Sequence, residues 1–336
     1  MPPAMNRVVA LAGLLALGAT AHAQPSAPAR AARATAAPAT SPTIDVWPVR
    51  DNIYMLVGAG GNTTVQVGPE GILVVDTKLE SGGEALLAAV RKLSPMPIRY
   101  VVNTHMHPDH VGGNAVIAAA GSTIAGGNVA GTIGDASKGA AVIAQENVLL
   151  RMVAAKPQPP FAAWPTDTFI DGHKDLFFNG EAVQIIYQPK AHTDSDSMVF
   201  FRRSDVIATG DVFTTTGYPV LLPNDGGSIR GVIDALNHII DITVPADKQE
   251  GGTMVVPGHG RLCDEADVVE YRDMLTIIRD RVKAMVAMRM TLQQVQAAQP
   301  TRDYDPRYGT TTGVWTTAQF VEAVYRNLMQ ENNHGG

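Results

Sequence analysis

Three histidines and one aspartate fall within residues 105–110 ("HMHPDH") of a 336-residue chain that has nine histidines in all. Pro108 follows His107 directly, so no continuous helix can pass through this cluster. Side-chain packing gives no reason to gather imidazole and carboxylate groups in this way, whereas a metal site requires it. The chain must therefore fold so that this segment meets further ligands from elsewhere.

A β-strand pattern, "IRYVVNT" at residues 98–104, leads into the cluster. In an extended chain, side chains at alternate positions point to the same side. We therefore expect His105, His107 and Asp109 to face one side. His110 joins them only if the chain curls, which the following glycine pair permits. The strand would place the cluster at a sheet end, where sites in α/β folds usually lie.

Four candidate ligands are too many for one catalytic ion, which takes about three protein ligands and an open position, and too few for two ions. Three further candidates come at the ends of strand patterns. They are His192 after "VQIIYQPKA", Asp211 after "DVIATG" and His259 within "MVVPGHG". The resulting five histidines and two aspartates are enough for two ions that share one carboxylate.

Short β-branched runs alternate with helical patterns from residue 44 onwards. "GNTTVQVG" and "GILVVDT" predict adjacent strands, and "EAVQIIYQP", "SMVFFRR", "DVIATGD" and "TMVVPG" predict four more. Helices are predicted at "SGGEALLAAVRKLS", "NAVIAAAG", "IRGVIDALNHIIDI", "EADVVEYRDMLTIIRDRVKAMVAMR" and "TAQFVEAVYRNLMQ". This alternation indicates an α/β layered fold.

The order His-x-His-x-Asp-His, then a distant His, Asp and His, resembles the signature of the metallo-β-lactamase-fold hydrolases over residues 44–262. The resemblance implies a four-layer αββα sandwich with two metal ions. By that resemblance, three histidines hold one ion, two histidines and an aspartate hold the other, and one aspartate bridges. The respective residues are His105, His107 and His192; Asp109, His110 and His259; and Asp211.

Three positions refine this resemblance. Asp76, at the end of "GILVVD", matches a recurrent aspartate of the family, and we expect it to organise the metal loop as a hydrogen-bond acceptor; a turn cap is the alternative. True β-lactamases commonly have cysteine or serine at the position of Asp211. An aspartate there resembles instead the lactonases, thioesterases and other hydrolases of the superfamily. Ser195 stands where many relatives have glycine, which alters the turn after His192.

The ligand set suits Zn²⁺. Two zinc ions would share a hydroxide that attacks the carbonyl of a lactone, ester, thioester or β-lactam. Asp109 and Asp211 are the candidate catalytic carboxylates, Asp109 also orienting the nucleophile and passing on its proton. The alternatives are a mononuclear iron dioxygenase of persulfide-type sulfur compounds, a β-lactamase proper, and a non-catalytic binding protein.

The N-terminus has the layout of a secretory signal peptide over residues 1–23, with cleavage expected after Ala23. Residues 24–43, rich in Ala and Pro, predict a disordered tether. The catalytic domain with its C-terminal helices then occupies residues 44–336. We expect a periplasmic or secreted protein that is not inserted in the membrane once the signal is removed; an uncleaved anchor is the alternative.

A net charge of −6 and the absence of any dense Lys/Arg run argue against a nucleic-acid partner. The partner is expected to be a small-molecule substrate, and the oligomeric state stays open. The single cysteine, Cys263, excludes an intramolecular disulfide and is expected to be buried. Four aromatic residues near the predicted site either line a pocket or serve packing: Phe161, Trp164, Phe213 and Tyr218.

Overall fold

Two β-sheets form the frame of the chain in the computed structural model, which describes residues 43–123, 138–222 and 224–334. The predicted signal peptide and all but the last residue of the predicted tether lie outside the described residues. Within the described ranges the chain has twelve strands and nine α-helices.

The first sheet has seven strands, adjacent in space in their chain order. Strands β1 to β7 are Asp45–Arg50, Ile53–Val57, Thr63–Gly68, Gly71–Val75, Ile98–Val102, Ala141–Gln145 and Asp167–Phe169. The first four pair antiparallel, and β4 to β7 pair parallel. Parallel pairing aligns the carboxyl ends of β4, β5 and β6 along one edge.

The second sheet has five strands in the order β12-β11-β10-β9-β8. Strands β8 to β12 are His173–Phe178, Glu181–Tyr187, Ser197–Phe201, Val206–Ala208 and Met254–Val256. β11 and β12 pair parallel and the others antiparallel. Consequently, the ends of β9, β11 and β12 lie at one edge.

The helices lie outside the sheets. Helices α1 to α9 are Gly83–Leu93, Pro108–Val111, Asn114–Ala119, Glu146–Ala154, Ile229–Ile242, Glu265–Ala287, Leu292–Ala297, Asp305–Tyr308 and Thr317–His334. A capping box between Asp264 and Asp267 starts α6. Ser228 caps α5 by accepting a hydrogen bond from the Gly231 amide. No helix among the described residues is long and apolar enough to cross a membrane.

Three apolar clusters define four layers. The inner cluster joins the facing sides of the two sheets, for example Val75 of β4 with Ile185 of β9. A second packs Leu86 of α1 against the outer side of the first sheet, and the largest packs α5, α6 and α9 against the outer side of the second. The chain is therefore an αββα sandwich, which confirms the predicted fold class.

The strands and helices predicted from the sequence are all present, including β9 to β12 and helices α1, α3, α5, α6 and α9. Five strands, β1, β2, β6, β7 and β8, and four helices, α2, α4, α7 and α8, carry no prediction. β6 and α4 follow each other without a break ("AVIAQENVLLRMVA"), and a short apolar run of this kind has no periodicity that separates strand from helix.

Candidate metal centre

The seven candidate ligands come from loops at the carboxyl ends of four strands. His105, His107, Asp109 and His110 follow β5, and the other three, His192, Asp211 and His259, follow β9, β11 and β12 respectively. Because these strand ends meet at one edge of the sandwich, residues up to 154 positions apart in sequence share one site.

The route into the cluster differs from simple strand alternation. His107 has extended backbone angles and is the N-cap of α2, with Pro108 as the first helical residue. Proline is favoured there because that position needs no amide hydrogen-bond donor. Asp109 and His110 therefore lie on a helical turn. The expectation that Asp109 follows His105 and His107 by alternation is wrong, although all three still face the site.

Three imidazole nitrogens converge in what we call the first trio, His105, His107 and His192. His107 Nδ1 lies 3.2 Å from His105 Nε2 and 2.9 Å from His192 Nε2. Asp211 Oδ2 lies 3.9 Å from His105 Nε2 and 3.6 Å from His192 Nε2. This group can offer three nitrogens and one oxygen to a single ion.

The second trio is Asp109, His110 and His259. Asp109 Oδ2 lies 3.1 Å from His259 Nε2 and 3.7 Å from His110 Nε2. The other carboxylate oxygen of Asp211, Oδ1, lies 3.2 Å from His110 Nε2 and 3.5 Å from His259 Nε2. Asp211 thus directs one oxygen to each trio.

Gly210 makes this position of Asp211 possible. Its φ of 53° lies in the left-handed region, and a Cβ there would come 2.6 Å from Thr104 Oγ1. Only glycine adopts this conformation without steric cost. The turn after β11 can therefore pass close to the β5 loop and carry Asp211 between the two trios.

Hydrogen bonds fix the imidazole tautomers of the first trio. His107 Nε2 donates to Asp225 Oδ2 at 2.9 Å, and His192 Nδ1 donates to the Val220 carbonyl at 2.7 Å. The Thr104 hydroxyl donates to Asp76 and so can accept from His105 Nδ1 at 3.1 Å.

The remaining three ring nitrogens consequently turn lone pairs toward one another with no proton between them. In addition, His110 Nε2 and Asp211 Oδ1 are buried and make no hydrogen bond among the described residues. The three lone pairs of the first trio repel one another unless a cation lies between them, so these residues fit a metal centre.

The pKa values reflect the same crowding. Burial lowers the pKa of His192 to about 4, and burial together with the charge of His110 lowers that of His105 well below its ordinary value. Burial opposes charge on His110 too, but Asp211 and Asp76 raise its pKa well above the usual range. Burial acts to raise the pKa of Asp211, but the charge of His110 outweighs this effect and holds the pKa of Asp211 well below its ordinary value.

Asp76 supports the second trio through a contact with His110. It is buried, accepts hydrogen bonds from the Thr104 amide and hydroxyl, and lies 2.7 Å from His110 Nδ1. Its backbone has φ 62°, a conformation that aspartate adopts more readily than most residues. The carboxylate binds side chains rather than acting only as a turn cap, and it orients His110.

Asp225 is a functional residue that the sequence did not indicate. It holds His107 in the orientation that directs Nδ1 into the first trio, and the hydrogen bond with His107 lowers the pKa of Asp225. Its surroundings, "NDGG", are typical of a turn. Only the fold brings this turn next to the β5 loop, so no local signal identifies it.

A cavity of about 390 Å³ opens beside the centre. Of the four aromatic candidates, only Tyr218 lines it; Phe213 is buried in the core and Phe161 is 81% exposed. Ser195 is buried and bonds to the Thr193 hydroxyl, so it stabilises the turn after His192. Cys263 is buried, and burial raises its pKa to about 12, which makes it a poor nucleophile.

The sequence model of the metallo-beta-lactamase superfamily matches residues 56–259. The chain belongs to this superfamily. A linear primary-alkylsulfatase from Pseudomonas sp. is 46% identical over 46 residues, which make up 13% of this chain and 9% of that protein. Superfamily membership supports a metal-dependent hydrolase, whereas the alkylsulfatase match covers too little of either chain to assign that relative's activity here.

Solved structures show the same fold. The stereoselective inverting sec-alkylsulfatase Pisa1 from Pseudomonas sp. has a TM-score of 0.61 at 16% identity, over 84% of this chain and 50% of that one. A metallo-β-lactamase from Pontibacter korlensis has a TM-score of 0.52 at 15% identity, over 70% of this chain and 99% of that one. The chain thus spans about half the length of the alkylsulfatase structure.

Proposed function

We propose that this protein is an exported dinuclear zinc hydrolase that cleaves the acyl bond of a lactone, ester, thioester or β-lactam. The position of Asp211 is the main support: its two carboxylate oxygens face different trios, at 3.6 Å from His192 and 3.2 Å from His110. A carboxylate that served one ion would not need a second set of ligands on its other oxygen.

The donor set favours zinc. Five imidazoles and two carboxylates are ligands that Zn²⁺ prefers. A bound zinc pair supplies an acidified water and a Lewis acid for a carbonyl oxygen. Two groups of at least three protein donors, each contacting Asp211, support two ions more than the single iron of a dioxygenase.

The residues of the chain have distinct parts in this proposal. The two trios and Asp211 hold the ions. Asp109 also faces the cavity and is 29% exposed, so its carboxylate can take a proton from the attacking water and return it to the leaving group. No side-chain nucleophile is required, and the buried Cys263 does not supply one.

Elemental analysis of zinc-saturated protein, combined with a substrate screen, tests the proposal. We expect about two zinc ions per chain and turnover of at least one of an aryl ester, a lactone, a thioester and a chromogenic cephalosporin. One iron per chain with persulfide oxidation would favour the dioxygenase instead. Cleavage of an alkyl sulfate alone would indicate the activity named for the alkylsulfatase relatives.

Export is the second part of the proposal, and it rests on the charged, apolar and small-residue layout of residues 1–23. We expect the mature chain to begin near Gln24 in the native host and to be recovered outside the cytoplasm. Mass spectrometry of the native protein decides this, since an intact Met1 would contradict it.

A further inference from the structure

The cavity beside the metal centre has an uncharged lining apart from the ligands themselves. Five ligands, His107, Asp109, His192, Asp211 and His259, form its floor. The other lining residues are Pro108, Thr214, Thr216, Gly217, Tyr218, Val220 and Leu222. In the part of the chain that the structure describes, no lysine or arginine lines this cavity.

The polar atoms of the lining loop are engaged within the protein. The Tyr218 hydroxyl lies 2.9 Å from Asp305 Oδ1 on α8, and the Gly217 carbonyl accepts a hydrogen bond from the Tyr271 hydroxyl at 2.9 Å. The Tyr218 ring also stacks on Phe320 with centroids 4.5 Å apart. Tyr218 is therefore held in place with its hydroxyl occupied, and it offers the cavity no free donor.

The remaining lining groups are occupied in the same way. Thr214 Oγ1 and Thr216 Oγ1 are 3.0 Å apart and share a hydrogen bond, and Thr214 Oγ1 is also 3.3 Å from the His259 carbonyl. The Val220 carbonyl accepts from His192. Apolar carbon and paired hydroxyls thus face a bound molecule.

Two arginines, Arg151 on α4 and Arg261 in the loop after β12, form ion pairs with aspartates. Arg151 forms a two-pronged ion pair with Asp194, and Arg261 donates to Asp267. A substrate carboxylate held away from the metals would therefore find no counter-ion among the residues that line the cavity.

We infer that the site selects acyl substrates whose acyl chain is uncharged, such as neutral esters and lactones, over substrates that carry a carboxylate or sulfate on that chain. This inference rests on the proposed function and narrows its substrate class. An anionic tail would lose water against apolar carbon without gaining a partner, which disfavours its binding. A neutral tail incurs no such penalty and gains from burial against Val220 and Leu222.

A matched pair of esters tests the inference: 4-nitrophenyl hexanoate and the 4-nitrophenyl monoester of adipic acid. Each hydrolysis breaks the acyl–oxygen bond, adds water's OH to the acyl carbon, and returns a proton to the leaving phenolate. The two acyl chains have equal length and differ by a terminal carboxylate. After correction for uncatalysed rates, we expect kcat/KM to favour hexanoate by at least about tenfold, or about 1.4 kcal/mol. Equal rates, or a preference for the adipate ester, would overturn the inference.

Leu222 offers a direct way to reverse the preference, because it lines the cavity and is 40% exposed at its edge. Leu222→Lys adds a cation, and Leu222→Gln is the control that removes the apolar side chain without adding charge. We expect Leu222→Lys to raise the adipate-to-hexanoate ratio at least about tenfold above that of Leu222→Gln. Identical ratios in the two variants would show that the cavity edge does not contact the acyl chain.

Binding of two hydroxamates separates failure of this inference from failure of the proposed function. Hexanohydroxamic acid and the monohydroxamate of adipic acid share the same metal-binding group. We expect the neutral compound to bind zinc-loaded protein at least about tenfold more tightly by calorimetry. If none of the ester, lactone, thioester and cephalosporin is hydrolysed, the proposed function fails, yet this binding ratio still decides the inference. Binding of neither hydroxamate, or of both equally, would overturn it.

Discussion

The two trios share Asp211 but differ in how firmly the protein holds them. In the first trio, His105 and His192 are fully buried, and every imidazole has a partner on its second nitrogen. In the second trio only His110 is buried and anchored in this way, whereas Asp109 is 29% exposed and His259 is 31% exposed.

This difference indicates a division of roles. Ligands that are already oriented lose little conformational freedom when an ion binds, so the first trio should hold its ion more tightly. Both trios reach the cavity, but Asp109 and His259 of the second trio are more exposed to solvent, so its ion should exchange more readily. A site of this kind can keep one ion as a structural element and present the other to substrate.

The largest effect is expected from Asp211→Asn, which acts on both trios. Asparagine keeps the size of the side chain but removes the negative charge between two dications. We expect zinc content to fall at both positions and turnover to fall at least about a hundredfold, or about 2.7 kcal/mol in barrier height. Zinc stoichiometry and rate are measured on the same preparation, with circular dichroism as the control for folding.

Near-normal activity and zinc content in Asp211→Asn would contradict the bridging role and favour a simple turn cap. Loss of one ion only would place Asp211 in a single trio. Either result would remove the main support for a dinuclear centre.

Removing one ligand from each trio tests the comparison itself. His259→Ala and His192→Ala should each lower zinc content toward one ion per chain. The ion that remains in His259→Ala lies in the first trio, so it should resist a chelator longer than the ion that remains in His192→Ala. Elemental analysis and chelator-release kinetics measure both. Equal release rates would show that the trios do not differ in affinity.

The sequence indicated the seven candidate ligands and Asp76, which the fold brings together, but it did not indicate Asp225. The seven ligand candidates have a fixed order and follow strand patterns, which sequence alone displays. Asp225 lies in a turn with no periodicity, and its partner His107 is 118 positions away. The helical turn of Asp109 and His110 was also missed, because a four-residue helix starting at Pro108 is too short to produce a pattern.

The supporting carboxylates provide a smaller and more selective test. Asp225→Asn should weaken binding at the first trio through His107, and Asp76→Asn at the second trio through His110. Loss of such a partner typically lowers metal affinity by about 10–100-fold. Asparagine tolerates the left-handed backbone at position 76, so the Asp76 variant should fold. Competition with a zinc chelator measures both affinities. Weakening of the second trio by Asp225→Asn, or of the first by Asp76→Asn, would contradict the assignment of these carboxylates to the two trios.

The smallest effect is expected at Arg151, which supports the first trio only indirectly. Its guanidinium pairs with Asp194 through two nitrogens, and Asp194 in turn donates its amide to the Asp225 carbonyl. Because Arg151 is about one-third exposed, solvent screens this pair. We expect Arg151→Met to lower the free energy of unfolding by no more than about 1 kcal/mol and to leave two zinc ions bound.

A matched variant separates local from general effects of losing an arginine. Arg281→Met removes a similarly exposed arginine on α6, which bonds to Asp303 and to the Pro300 carbonyl rather than to a ligand loop. Both variants should show similar unfolding midpoints in denaturant. Only Arg151→Met should release zinc from the first trio faster. Of the two arginines, Arg151 alone is linked by hydrogen bonds, through Asp194, to the loop that contains Asp225. Equal rates of zinc release in both variants would show that Arg151 does not contribute to holding His107, and that Asp225 alone does so.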